Sequence, residues 1–249
     1  MPSASPWTSV FGIAMILLGA VVLVFSGRHV WRALTVRRAT AADSVQSADP
    51  GALLSLTGTV EPGNPDPLTA PFSGRDCVAL RYAVEERRVT PTVFPGFVTI
   101  HETAGSVAFR LRTAAAAVDV EPSVRTVSLD RDTVATVAAD AQPPDRVARF
   151  EHSTSGYPTT TRWQTPPNVL RSLFATLSLG TRRYTEQRAT PGERCTVVGR
   201  VTASGASIDP IVVSDATPAA TASRMARTSL GGVAIGVGSL LLGAFVLIL

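Results

Sequence analysis

The chain has 249 residues, 45% of them hydrophobic, and 23 basic against 19 acidic side chains give a net charge of +4 and a pI near 9.8. Such a pI suits a nucleic-acid binder, but residues 45–215 hold 17 arginines against 18 acidic residues, a net of −1. The excess sits in Arg28, Arg32, Arg37, Arg38, Arg224 and Arg227, beside two apolar runs, where arginine meets anionic lipid headgroups, and no nucleic-acid partner is expected.

The first run, residues 10–25, is apolar or glycine throughout. A crossing of roughly 30 Å of hydrocarbon takes about 20 such residues, so residues 9–27 are read as a first transmembrane helix. A cleaved signal peptide would carry a basic segment before the run, and residues 1–7 have no basic side chain. Arg28 and His29 follow instead as a stop-transfer flank, and Trp7 and Trp31 stand near the two ends. Residues 28–49 are expected to continue the helix and then link it to a domain. The Asp49-Pro50-Gly51 turn opens that domain, which spans residues 50–215.

Strand signals dominate from there. Residues 53–60 are apolar, 62–67 form a Pro- and Gly-rich loop, and 76–89 alternate with period two, Val78, Leu80, Tyr82 and Val84 on one side and Arg81, Glu85 and Arg87 on the other. Further strands are expected at 107–112, 117–120, 124–129, 159–164, 182–187, 194–201 and 208–213. Residues 168–179 follow a Pro-Pro pair with apolar Val169, Leu173, Phe174 and Leu177, the face of an amphipathic helix, and 145–150 suit a helical turn or a strand. Leu56-Thr-Gly58-Thr-Val60 and Val197-Val-Gly199-Arg-Val201 echo one another, each with a glycine that suggests a bulge or a close backbone approach. Residues 216–229 are read as a linker and 230–249 as a second transmembrane helix. In it Gly232 and Gly236 form a G-x-x-x-G pair suited to the first span or to a homo-oligomer contact. The expected fold is mainly β: an antiparallel β-rich domain with one or two short helices, flanked by two transmembrane helices.

The basic flanks lie on the domain side of both spans, and positive charge is retained on the cytoplasmic side. That predicts a two-span cell-membrane protein with a cytoplasmic domain.

Catalytic constellations are not found. His101-Glu102 lacks the second histidine of H-E-x-x-H, and there is no G-x-S-x-G and no P-loop. Glu85 and Glu86 are adjacent on a strand, point to opposite faces and form no carboxylate dyad; a solvated charged strand end is expected there. Cys77 and Cys195, with three scattered histidines, offer no paired spacing for zinc. No cofactor or metal is expected, and each cysteine reads as a small buried hydrophobe, the alternative being a Cys77–Cys195 pair if their strands are neighbours. The polar run Arg182, Arg183, Tyr184 and Glu186 is the candidate binding cluster, with Arg182, Tyr184 and Glu186 on one face. Ion pairing with Arg81 or Glu85 on a neighbouring strand is the structural alternative to binding a partner's acidic group.

Three blocks carry a family resemblance. Leu56-Thr-Gly-Thr-Val-Glu61, Ala70-Pro-Phe-Ser-Gly74 and residues 77–86 resemble the start of the GIDE domain family, the "beside a membrane" domain of mitochondrial ubiquitin ligases. Residues 182–186, 191–193 and 197–199 resemble its end, while residues 90–160 match loosely. The resemblance implies a membrane-flanked β domain and, in the ligases, E3 ubiquitin transfer through a zinc-binding RING finger after the second span. This chain ends inside its second apolar run and has no such ligand set. The expected function is therefore a non-catalytic module binding the bilayer or another membrane or cytoplasmic protein. RING-type ubiquitin-protein transferase activity would require a RING from a separate chain. In those ligases the domain faces away from the cytosol, opposite to the side that the arginines predict.

Overall fold

The computed structural model describes residues 6–64, 66–90, 94–124 and 126–248. In chain order the elements are α1 (Pro6–Arg37), β1 (Thr40–Ala42), β2 (Leu53–Pro62), β3 (Leu68–Thr69), β4 (Asp76–Cys77), β5 (Ala79–Val89), β6 (Pro95–Ser106), β7 (Phe109–Arg112), β8 (Ala117–Val120), β9 (Thr126–Ser128), β10 (Asp132–Val137), α2 (Asp145–Ser153), α3 (Arg171–Thr176), β11 (Arg182–Ala189), β12 (Arg194–Val201), β13 (Ser207–Ser214) and α4 (Pro218–Ile248). They divide into a unit built from the two terminal segments and a β unit, Ala41–Asp215. The fold is mainly β with flanking helices.

The terminal unit pairs α1 with α4. Each helix is long and apolar enough to cross a membrane: Trp7–Arg28, with mean hydropathy 2.6, and Gly231–Ile248, with 2.2. The two run antiparallel, because Gly12 lies against Gly243 and Leu247, Gly19 against Gly236 and Leu240, and Ser26 against Gly232. A Cβ on Gly19 would sit 2.8 Å from the Gly236 carbonyl oxygen, and one on Gly243 would sit 2.7 Å from that of Gly12. Only glycine permits that backbone approach. The G-x-x-x-G pair thus faces the first span of its own chain. Residues 216–229, expected as a linker, are helical from Pro218 onward.

In the β unit, five strands close on themselves. β2 pairs with β7, β7 with β8, β12 with β2 and β13 with β12, all antiparallel; β13 completes the ring by running parallel to β8. This is the connectivity of an OB-type Greek-key barrel, an architecture that assigns no function by itself. Its inside is filled by the inward phase of each strand, including Leu54, Leu56, Val60, Phe109, Leu111, Val118, Val120, Val197, Val201, Ile208 and Val213. The two echoing glycines lie on the paired strands β2 and β12. A side chain on Gly58 would collide with the Arg112 carbonyl and one on Gly199 with that of Asp209, so both mark close strand approaches.

Two long insertions leave the barrel, one between β2 and β7 and one between β8 and β12. Each donates two strands to a second antiparallel sheet of order β10-β11-β5-β6. One face of that sheet is covered by α2, which buries Val147 and Phe150 against Val84, Val137, Tyr184, Phe72 and Tyr157. Rings of Phe72, Tyr82, Phe150 and Tyr184 meet edge to face at 4.9 to 5.6 Å.

Several expectations need correction. Residues 159–164 form no strand; 159–161 are irregular and 162–164 a turn, and the Thr159 carbonyl and Thr161 hydroxyl are turned onto Arg182 and Glu86. The segment 168–179 is a 3₁₀ turn followed by the six-residue α3, and its apolar face is not buried: Val169 is 88% exposed and Leu173 53%. Helix α1 stops at Arg37, and the chain is extended again by Thr40. Beyond the short β1 and β3, two strands lacked a signal, β6 and β10. Both are sheet edges, and a register shift interrupts each ladder, between Val84 and Glu85 opposite β6 and between Thr133 and Ala135 in β10.

Candidate functional site

Strand β11 lies between β10 and β5, which places Arg182 opposite Glu86, Arg183 opposite Glu85 and Tyr184 opposite Val84. The period of two sends Arg182, Tyr184 and Glu186 to the α2 side and Arg183 to the other. On that other face Arg183 grips Glu85 through two nitrogens at 2.8 and 2.6 Å, Arg131 adds a third contact at 2.6 Å, and the Arg183 guanidinium lies 4.2 Å over the Phe97 ring. Arg81 pairs with Glu102 on β6 at 2.7 Å and not with the β11 cluster.

The α2 side holds a closed polar network. Arg182, 2% exposed, donates to Glu86 (3.3 Å), Glu151 (3.0 Å), the Tyr157 hydroxyl (3.1 Å) and the carbonyls of Pro158 (2.6 Å) and Thr159 (3.3 Å). Glu86 is fully buried and accepts from Arg88 and from the Thr161 hydroxyl as well. Thus Glu85 and Glu86 do point to opposite faces, but neither is a solvated strand end: each is buried under arginines supplied by neighbouring elements. Glu151 of α2 accepts from the hydroxyls of Tyr157 (2.8 Å) and Tyr184 (2.5 Å). Burial, and then hydrogen bonding to Glu151, pushes both phenols above the ordinary tyrosine value. Glu186, also fully buried, accepts from the backbone amides of Phe72 and Ser73 at 2.7 and 3.1 Å, from the Ser73 hydroxyl and from Arg188. Arg188 also bonds Asp132 at 2.9 Å. These partners leave the Arg182 and Glu186 groups engaged inside the protein, where they fasten α2 and the 70–74 segment to the sheet.

Glu151, Tyr157 and Arg188 were not singled out from sequence, and Glu86 was read only as part of a solvated strand end. The signal for Glu86 was its phase, since it shares the inward side with Tyr82 and Val84, and a charge in an inward phase calls for a buried partner. Glu151 and Tyr157 lie too far away in sequence to be assigned to Arg182.

Near the junction of barrel and second sheet is a cleft of about 440 Å³. Asp130, Asp132, Glu193 and Asp215 line it together with Arg188, Arg194 and Cys195. Its thiol is no nucleophile: burial, with Glu193 nearby, pushes Cys195 up to about 12. Burial likewise pushes Cys77 up to about 11, and both cysteines are free and buried. Among the described residues no group of three or more His, Cys, Asp or Glu is placed to hold a metal ion.

The outer side of β7 and β8, a ligand-binding face in OB barrels, presents Arg110, Arg112, Ala117 and Asp119. Arg110 is paired with Asp119 and Arg112 with Glu61, and no aromatic side chain from these strands offers a stacking platform for bases.

One surface feature stands apart. Among the described residues of the β unit, the exposed large apolar side chains are Val89, Phe94, Val98, Val169, Leu170 and Leu173. They belong to two places, the β5–β6 hairpin and the segment entering α3. Backbone bonds from the Arg87 amide to the Thr181 carbonyl and from the Gly180 amide to the Arg87 carbonyl, both 2.8 Å, bring those places to the same end of the second sheet. Trp163 stacks on Phe174 at 5.7 Å, and Arg162 lies over Trp163.

No protein family, curated protein or solved structure matches the chain.

Proposed function

We propose that this chain is a membrane-anchored, non-catalytic binding module whose β domain lies on the cytoplasmic side of the membrane. The observation that carries the reading is the concentration of the domain's exposed apolar side chains at one end of the second sheet, beside a buried polar network already saturated by internal partners. Scattered apolar surface needs no explanation, whereas apolar surface gathered at one end is the mark of a docking face. A photo-crosslinking residue placed at Phe94 or Leu173 in native membranes is expected to form discrete adducts, and the same residue at the exposed Asn64 is not. Turnover of a small substrate by the purified protein, with no adduct at either position, would overturn the reading.

The orientation follows from Arg28, Arg32, Arg37, Arg38, Arg224 and Arg227, all on the domain side of the apolar stretches. The native thiols are buried and poorly ionised, so Asn64→Cys supplies a reporter in an exposed loop. An impermeant maleimide is expected to label this variant only after lysis. Rapid labelling of intact cells would place the domain outside.

A further inference from the structure

We infer that the exposed end of the second sheet seats in the headgroup layer of an anionic bilayer, a partner assignment that rests on the binding-module reading. Residues 85–90, 94–101 and 152–185, which build this end, contain six arginines and two glutamates, Glu85 and Glu86. Three of the arginines are committed to internal carboxylates: Arg88 and Arg182 to Glu86, and Arg183 to Glu85. The other three are held differently. Arg162 covers Trp163, Arg171 bonds Asn168, and the buried Arg87 Nε has no hydrogen-bond partner among the described residues.

Apolar side chains flanked by arginine, with tryptophan beside them, are the composition of a segment that lies in a membrane interface. The apolar groups enter the acyl boundary while guanidinium groups remain at the phosphates. Charge decides against a second copy as the occupant. A two-fold contact would set this end against itself and oppose arginine to arginine. A lipid surface of negative sign instead attracts each cation near it. The same chain carries two helices of membrane-crossing length, so the surface it needs is always at high local concentration.

The test uses the full chain in lipid nanodiscs, with one cysteine at Phe94→Cys or Leu173→Cys carrying an environment-sensitive NBD label, and Asn64→Cys as the control. Discs of phosphatidylcholine alone are compared with discs that include phosphatidylglycerol, each with and without spin-labelled quencher lipid. Blue-shifted emission quenched by the lipid probe at positions 94 and 173 in anionic discs, weakened by added salt and by combined Arg87→Gln, Arg162→Gln and Arg171→Gln, supports the inference. Quenching that is equal in both disc types and insensitive to salt overturns it, as does a label that stays in water in both. A label shielded from water but not quenched, with a protein adduct at the same position, defeats the lipid assignment and leaves the binding-module reading standing. Water exposure with no adduct defeats both.

Discussion

At the scale of single residues, the inward phase of β11 explains why charge is tolerated in this interior. Arg182 is surrounded by acceptors from β5, α2 and the 157–159 segment, so burial of its guanidinium is offset by hydrogen bonds in several directions. Glu151 in turn is held by two phenols, Tyr157 and Tyr184, that must remain protonated to donate. Both have folded-state values raised above the ordinary 10.0 by burial and by Glu151. The neutral form is therefore the one the fold prefers. Their contribution is fully present below pH 10, the unfolded value, and is lost as pH rises beyond it, each phenol removing up to about 1.4 kcal/mol per pH unit. Thermal melts followed by circular dichroism should hold level through about pH 8, begin to fall near pH 9 as the raised thiols of Cys77 and Cys195 contribute, and fall more steeply above about pH 10 as the phenols add to them. Tyr157→Phe removes one of the two phenols and should flatten the part of the fall above about pH 10. A variant curve parallel to the wild type would show that Tyr157 does not carry the alkaline loss.

Among the elements, legibility followed burial. Strand β8 was readable to its end residues because alternation survives where one face is packed and the other wet, and β12, buried on both faces from Cys195 to Gly199, was equally readable as a compact apolar run. Strand β6 was not readable, because as an edge strand it is half-buried along most of its length and has no clean inward phase. The helix expected over 168–179 shows the opposite failure. Its periodic apolar residues were real, yet the segment packs through the Trp163–Phe174 stack and Leu179 and leaves Val169 and Leu173 in solvent. A pattern fixes which face is apolar but not what covers it. The helix pair makes the same point: Gly232 and Gly236 were visible as a motif, whereas Gly12, Gly19 and Ser26, spaced by seven, became a matching seam only once α1 and α4 were set antiparallel. The candidate cluster was legible in its residues and in the face each would take, and only partly in its partners. Arg183–Glu85 is a cross-strand pair within reach of pattern reasoning, whereas Arg182–Glu151 depends on a helix 31 residues away.

For the whole β unit, the two insertions decide how it unfolds. The chain crosses between barrel and second sheet repeatedly, and short bonds tie the crossings: Val78 to the Ala189 carbonyl at 2.8 Å, Val107 to the Val78 carbonyl at 2.9 Å, and the Leu129 amide to Gln187 at 3.2 Å. The barrel core and the aromatic core under α2 are each drawn entirely from residues 45–213. Neither core depends on α1 or α4 for its buried side chains, so a fragment of residues 41–215 should fold in water without detergent. Melting the second sheet alone would unpair β5 and β11, which continue directly into the barrel at Val78 and Ala189, and would expose Glu86, Glu151 and Arg182 unpaired. That penalty couples the two sheets into one cooperative transition. Urea titration of the fragment, followed by tryptophan fluorescence from Trp163 near the second sheet and by far-ultraviolet circular dichroism of all strands, should give coincident midpoints. Two separated midpoints, with fluorescence lost first, would show that the sheet melts from an intact barrel and that the buried arginine network does not bind them into one folding unit.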